Sequence, residues 1–560
     1  MKRNNKIFNY LLVLATLVSC GSVATTQEEK PSEENLFVST VESNLNEYED
    51  YYEHSTTYDG KKFEYDNSAW YINNLDKVPL PDPHVFVEDG TYYIVGTSDR
   101  SGCKVVDCYY TTDFVTYNHS FGIYNPSSFK GWENSNPEVY APEMYCFDGV
   151  YYLYYSAKNE NGVRENSVVQ ADNPLGPYEP IVNNEVNGLN APLFKDNTVV
   201  LDSTIFVDDD GSMYMYYSAV GYGQQYIAGI KLTSPYQADY STRKDLVIAG
   251  NVSTEDKRNL LSWEKYRSYP IVEAPYMIKS PNGEYYLTYS ANGCWEKYYN
   301  VCYAVSDDPL GNFVKPYEED GLWTNLLLGY SGTNDSNSTV FNQWSGFASG
   351  TGHHCFFNIG DQIMIGYHAH KNRKYNAGGG FMERYFAMDP LYFDSDGVPY
   401  CNGPSYSLQP LPEAISGYKN VASNATIKVQ NVTNETALID NYIVDCYNLE
   451  SEENEVQLGE GLSYIELTFD KEYEIGGVAV YNSAYYEKTV MEMKYLNLLN
   501  GNAIRYPQFC YAYYNEDTEF TFPNSAFTFE FSKQIKSNKL VLCFELDEPC
   551  NINEIVVLGQ

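Results

Sequence analysis

Six side chains able to move protons or hold ions open five similar segments of this 560-residue chain: Asp82, Glu143, Asp202, Glu273 and the pair His353/His354. Carboxylates gathered at one place suit general acid and base work, with surroundings that keep one ionised and another protonated. Residues this far apart in sequence can act together only if the fold brings the segment starts to one point. The segments read Asp82-Pro-His-Val-Phe, Ala141-Pro-Glu-Met-Tyr, Asp202-Ser-Thr-Ile-Phe, Glu273-Ala-Pro-Tyr-Met and, more loosely, Gly352-His-His-Cys-Phe.

Each segment runs into a turn and then a second apolar, aromatic run. The turn glycines are Gly90, Gly149, Gly211, Gly283 and Gly360, spaced 59, 62, 72 and 77 residues apart. Asp-Gly, Asn-Gly and Gly-Asp turns between β-branched and aromatic runs are hairpin signals. The second runs repeat as Tyr151-Tyr-Leu-Tyr-Tyr-Ser-Ala, Met213-Tyr-Met-Tyr-Tyr-Ser-Ala and Tyr285-Tyr-Leu-Thr-Tyr-Ser-Ala, with Tyr92-Tyr-Ile-Val-Gly-Thr-Ser and Ile363-Met-Ile-Gly-Tyr-His-Ala as variants. A unit of this length holds four strands and their loops, one propeller blade, and five units predict a five-bladed β-propeller. Long helical periodicity is absent, which argues against a TIM barrel or doubly wound sheet. In a propeller the first strand of each blade lines the central channel, so the segment openers converge near one axis.

Lys plus Arg is 36 against 75 Asp plus Glu, a net charge of −39. Nucleic acid and anionic membrane surfaces both need basic patches and are poor partners for such a chain. The 57 tyrosines suit sheets and sugar-stacking surfaces, and the blades alone can account for them. Lys2, Arg3 and Lys6 before the short apolar stretch from Ile7 to Val18 predict an export signal, too short for a membrane span. Leu17-Val-Ser-Cys20-Gly resembles a bacterial lipobox, which implies cleavage after residue 19, acylation of Cys20 and a cell-envelope lipoprotein at the outer membrane or cell surface. Residues 20–58 are acidic and poor in apolar residues, the composition of a flexible tether. Setting Cys20 aside leaves eleven of the 12 cysteines; Cys103 and Cys108 are spaced for a hairpin disulfide, and no Cys/His cluster has zinc spacing.

With these residues in hand, the stretch from Leu80 to Pro412 resembles glycoside hydrolase family 43, a family of five-bladed propeller enzymes. Its motifs are Pro81-Asp82-Pro83, Leu201-Asp202-Ser-Thr-Ile-Phe, Val272-Glu273-Ala-Pro-Tyr-Met, Gly350-Thr-Gly-His353, and Arg384 shortly before Asp394-Ser-Asp-Gly-Val-Pro. The resemblance implies inverting hydrolysis, with Asp82 as general base, Glu273 as general acid, and Asp202 orienting Glu273 and raising its pKa. It further implies that Arg384 reaches the sugar or Asp202, and that His353 sits beside an ion, commonly calcium, at the propeller axis. That calcium would be structural, with no cofactor required for the chemistry. Tyr140, Glu143 and Trp295 are expected at the pocket wall, Glu143 standing where relatives commonly place Asp.

The catalytic propeller is expected over residues 59–415. Residues 416–560 lack the blade repeat but keep alternating strands and resemble a discoidin-like jelly roll, a β-sandwich with a carbohydrate-binding or a purely packing role. Tyr485-Tyr486 and Tyr511 to Tyr514 are its candidate sugar-stacking residues. The expected fold is all-β throughout. The expected substrate is a neutral plant oligosaccharide or polysaccharide, with removal of α-L-arabinofuranosyl or β-D-xylosyl residues from hemicellulose or pectic side chains. Galactan cleavage on the same fold and glycan binding without cleavage are the alternatives. Fructan hydrolysis would need an Asn-Asp-Pro-Asn-type motif and an Arg-Asp-Pro triplet, and the chain has neither.

Overall fold

The computed structural model describes residues 69–73, 77–129, 131–181, 199–221, 224–249, 271–296, 299–316, 325–329, 349–370, 383–405, 408–429, 432–443, 454–483, 495–497, 511–515, 518–521, 526–546 and 548–560. The expected signal peptide, the tether with Cys20, Tyr485-Tyr486 and most of the Gly/Ser/Asn-rich insert at 322–349 lie outside them.

Five four-stranded antiparallel sheets follow one another along the chain, each in simple meander order. Blade 1 comprises His84–Glu88, Thr91–Thr97, Val106–Thr111 and Asn118–Tyr124. Blade 2 comprises Tyr140–Phe147, Val150–Lys158, Arg164–Ala171 and Glu179–Pro180. Blade 3 comprises Val199–Val207, Met213–Gly221, Gln224–Ser234 and Gln237–Ile248. Blade 4 comprises Val272–Lys279, Tyr285–Ala291, Asn300–Ser306 and Leu326–Leu328, and blade 5 Ser349–Ile359, Gln362–His370, Arg384–Phe393 and Pro399–Cys401. The first strands touch in sequence, and the last touches the first, so the sheets close into a propeller. All five hairpin glycines have positive φ, between 60° and 91°, the conformation that only glycine adopts without steric cost.

Each first strand faces two neighbours by alternation. Met144 packs into the core between blades 1 and 2, and Tyr145 beside it packs into the core between blades 2 and 3. Val85 and Phe86, Ile205 and Phe206, and Met277 and Ile278 divide in the same way. Several tyrosines of these cores place the polar end of the ring on a partner while the ring itself packs. Tyr216 donates to the Pro309 carbonyl at 2.8 Å, and Tyr367 to Asp389 at 2.7 Å.

Among the described residues no strand is exchanged to close the ring. Instead Trp70–Tyr71 pairs with Gln409–Pro410, joining the two ends of the propeller. The chain then enters a seven-stranded sheet system dominated by two long strands, Gly461–Asn482 and Ala526–Leu546. The first pairs with Ala425–Val429 in its first half and with the closing strand Cys550–Gly559 in its second. Register breaks between Thr468 and Tyr473 and between Ile475 and Gly477 separate the halves, so one strand serves both layers of a sandwich. Its core holds Ile427, Leu467, Val478, Leu540 and Val557. A separate cluster of Trp70, Leu408, Tyr418, Tyr481 and Val556 seats the sandwich on the propeller's closing strands.

Cys103 and Cys108 are both free and buried, so the disulfide their spacing suggested is not formed. Cys103 sits in the turn after blade 1's second strand with φ of 58°, and Cys108 lies within the third strand, its thiol packed into the core between blades 1 and 2. No helix among the described residues is long and apolar enough to cross a membrane.

Candidate active site

One residue at the head of each first strand has a left-handed backbone: Asp82 at φ 55°, Ala141 at 45°, Asp202 at 54°, Ala274 at 50° and His353 at 46°. None is glycine, and such a conformation persists in other residues only where surrounding contacts impose it. Here the contact is the same each time. The side chain at one fixed position of the preceding blade's second strand accepts the hydrogen bond of that residue's backbone N–H. Thr97 accepts from Ala141 at 2.9 Å, Ser156 from Asp202 at 3.0 Å, Ser218 from Ala274 at 3.0 Å and Ser290 from His353 at 2.8 Å. At the seam, where blade 5 meets blade 1, the acceptor is His368 Nδ1, which takes the N–H of Asp82 at 3.1 Å. This ring of five bonds sets the height of every functional group around the axis.

Asp82 lies in a cationic corner. Its Oδ1 accepts from Arg384 at 3.0 Å and faces His353 Nδ1 at 3.2 Å, and Thr97 donates to Oδ2 at 2.6 Å. Burial alone would raise its pKa, but Arg384 and His353 outweigh burial and hold the carboxyl well below the usual range. Arg384 therefore reaches the candidate base and, at 3.6 Å, Asp99; its expected contact with Asp202 is not made.

Glu273 precedes the left-handed residue of its blade and is half-buried. Its one hydrogen bond among the described residues comes from Tyr299, at 3.0 Å. Burial, and then the charge of Asp202, push its pKa up to about 8, so it carries a proton at neutral pH. Asp202 is buried, with its own pKa raised by burial, and accepts from the Ala274 N–H at 3.2 Å and Ser218 at 3.3 Å. The structure thus gathers Asp82, Asp202, Glu273, His353 and Arg384.

Glu143 occupies another layer. It stands two residues beyond the left-handed position of its blade, is 7% exposed, and is bound by the Tyr145 phenol, which lies 3.1 Å from Thr204 Oγ1. Burial pushes its pKa up to about 8. It belongs to a buried axial layer with His84 and Tyr276, whose ring centroids are 6.2 Å apart. Tyr140 points its phenol at Glu138 and lies under the Arg164 guanidinium, 3.9 Å from the ring centroid. A cleft of about 470 Å³ opens beside Arg384, and Tyr140, Glu138 and Asp99 line it too. Trp295 is 48% exposed on the loop after blade 4's second strand, over Gly293.

His353 presents Nδ1 to Asp82, and among the described residues no group of three or more His, Cys, Asp or Glu is arranged to hold a metal. The glycines of Gly350-Thr-Gly-His353 have packing causes. A Cβ on Gly350 would stand 2.1 Å from the His370 ring, and one on Gly352 2.4 Å from Tyr299. Thr97, Tyr299 and His368 were not singled out from sequence. His368 had a signal, since it replaces serine in the Tyr-Ser-Ala repeat, and its ring stacks on Tyr299 with centroids 5.4 Å apart.

A family model for glycosyl hydrolases family 43 matches residues 71–399. Among curated proteins, the chain is similar to a β-xylosidase of Xylanibacter ruminicola (30% identity over 185 residues, 30% of this chain and 52% of that protein). It is also similar to xylosidase/arabinosidase 43A of Humicola insolens (30% over 179 residues, 27% and 50%). An arabinoxylan arabinofuranohydrolase of Paenibacillus polymyxa is 25% identical over 350 residues, 56% of this chain and 49% of that protein. The chain spans about half the length of these relatives. Among solved structures, a thermostable family-43 glycoside hydrolase aligns with a TM-score of 0.49 and 24% identity, over 61% of this chain and 99% of that one.

Proposed function

The chain belongs to glycosyl hydrolases family 43, and from that premise we propose that it is an inverting glycosidase removing α-L-arabinofuranosyl or β-D-xylosyl residues from plant hemicellulose or pectic side chains. The observation that carries this reading is the contrast between two carboxyls at one axis, Asp82 facing Arg384 and His353, and Glu273 bound only by Tyr299 among the described residues. Asp82 is held ionised and Glu273 is held protonated. In the proposed reaction Asp82 takes a proton from a water molecule as its oxygen attacks the anomeric carbon. Glu273 gives its proton to the glycosidic oxygen as the bond to that carbon breaks, so the product forms with inverted configuration. Asp202 acts through Glu273, because its negative charge disfavours ionisation of the acid. Arg384 and His353 keep the base ionised.

The choice of sugar rests on the names of the relatives, which include a xylosidase and an arabinofuranohydrolase. Export through the signal and anchoring at acylated Cys20 would place the enzyme at the cell envelope, facing soluble polysaccharide fragments. A calcium at the axis would lie beside His353 and would supply a structural charge there, with the proton transfers left to Asp82 and Glu273. The test is a panel of chromogenic glycosides, arabinofuranoside and xyloside included, with wild type and Asp82→Ala. Turnover on one sugar that disappears in the variant is the expected result. Turnover retained in Asp82→Ala would remove the base assignment, and binding without turnover of any glycoside would favour a glycan-binding protein.

A further inference from the structure

The cleft beside Arg384, the residue that donates to Asp82, adjoins another on blade 1. Pro79 and Arg100 form one of its walls, and the same two residues line a second cleft of about 620 Å³ on blade 1. Both open on the face where Asp82 lies. Asp82 precedes the first strand of blade 1, and the loop bearing Arg100 and Lys104 follows the antiparallel second strand, so both belong to the same end of the blade. The chain after the fourth strand, with Asn125 and Ser127, returns to that end as well.

Tyr109, His119 and Phe121 give the second cleft an aromatic floor. Tyr109 and His119 are cross-strand partners with stacked rings, centroids 4.3 Å apart and planes 21° from parallel. Asp107 fixes this pair, lying 3.6 Å from His119 Nε2 and accepting from the Gly122 N–H at 2.9 Å. Next along the fourth strand, Phe121 is 69% exposed, the most exposed large apolar side chain among the described residues. Arg100 and Lys104 stand at the rim, and Arg100 is held by the Tyr385 hydroxyl at 3.3 Å. A rigid aromatic floor with hydrogen-bonding groups around it matches a pyranose or furanose ring, which has apolar C–H faces and a hydroxylated edge.

We infer that this cleft on blade 1 is a remote subsite that binds the sugar chain continuing beyond the scissile bond, with Phe121 as its stacking platform. The inference rests on the glycosidase reading for the source of the chain and on the shared wall at Arg100 for its path. It makes the substrate a polymer or long oligosaccharide that lies from Arg384 past Arg100 to Phe121, so that recognition of the backbone and removal of the branch occur on one face.

The test separates the two readings. Binding of soluble arabinoxylan is measured by calorimetry to Glu273→Gln and to Glu273→Gln/Phe121→Ala, with melting temperature as the control for folding. Kd should rise about ten-fold with loss of the ring, on the order of 1.4 kcal/mol, and Phe121→Trp should retain binding. In the Glu273 background, the ratio of kcat/KM on arabinoxylan to that on an aryl glycoside should fall about ten-fold for Phe121→Ala. Equal Kd values, or absence of arabinoxylan binding, would overturn the subsite. Absence of turnover on every glycoside with the Phe121 effect on Kd intact would overturn the glycosidase reading and leave the cleft as a glycan-binding site only.

Discussion

The seam side of the propeller axis, where blades 5 and 1 meet, and the opposite side, formed by blades 2 to 4, carry similar carboxyls in contrasting surroundings. On the seam side Asp82 meets Arg384 and His353 within 3.2 Å. On the opposite side Glu143, Asp202 and Glu273 meet only hydroxyls and backbone N–H groups among the described residues: Tyr145, Ser218, Ala274 and Tyr299. Burial pushes every one of these carboxyls towards its neutral form, and only the seam supplies enough positive charge to reverse it. One repeated backbone device therefore delivers carboxyls in opposite surroundings, and the difference is made by blade 5, which contributes both His353 and Arg384.

The difference can be broken at either end, and the largest effect is expected at the proposed acid. Glu273→Gln should lower kcat by about 10²- to 10⁴-fold on substrates with poor leaving groups. An aryl glycoside with an acidic phenol should be affected much less, since it needs no proton donor. Equal losses on both substrates would show that Glu273 is not the acid. Removing the cation should come next. Arg384→Met leaves burial to act on Asp82, so its pKa rises and the acid limb of the kcat/KM profile moves to higher pH. An unmoved acid limb would mean that another group titrates there.

Asp202→Asn should act in the opposite sense on the other side. Without its charge the pKa of Glu273 falls below about 8, and the alkaline limb moves to lower pH while kcat drops by roughly ten-fold. The smallest effect concerns stability. Glu143 keeps its proton in the folded state up to about pH 8, whereas an unfolded glutamate loses it near 4.3. The folded state thus binds the extra proton between those values, and stability falls as pH rises through that window. Glu143→Gln cannot titrate, so the loss of Tm between pH 6 and pH 9 should shrink by on the order of a few degrees. A Tm profile parallel to wild type would place that proton elsewhere.

Much of this architecture was legible in the residue order, because the hairpin glycines and the Tyr-Ser-Ala runs recur wherever a blade does. Asp82, Asp202 and Glu273 were legible for the same reason, since they open repeats. Tyr299 could not be found this way: it sits just before a third strand, and its contact with Glu273 depends on tertiary packing across Gly352. Glu143 was visible as a carboxyl, but sequence does not show depth along an axis. Two residues of strand separate the left-handed layer from its own, enough to carry it from pocket to core. Arg384 was visible by its place in the motif, and which aspartate it would meet was decided by the seam.

The seam has one further consequence. Four joints of the ring use hydroxyl acceptors, which do not titrate, whereas the fifth uses an imidazole that can accept the Asp82 N–H only while its Nδ1 is bare. Burial drives the pKa of His368 down to about 3, against an ordinary value of 6.5, so the folded state resists a proton that the unfolded chain would take. His84 and His354, also buried near the axis, are depressed to about 3 as well. Their contribution to stability is therefore present above pH 6.5 and drains away as pH falls towards 3. Acidification would loosen the molecule at the latch between its last blade and its first, and the residue released there is the one proposed to activate water.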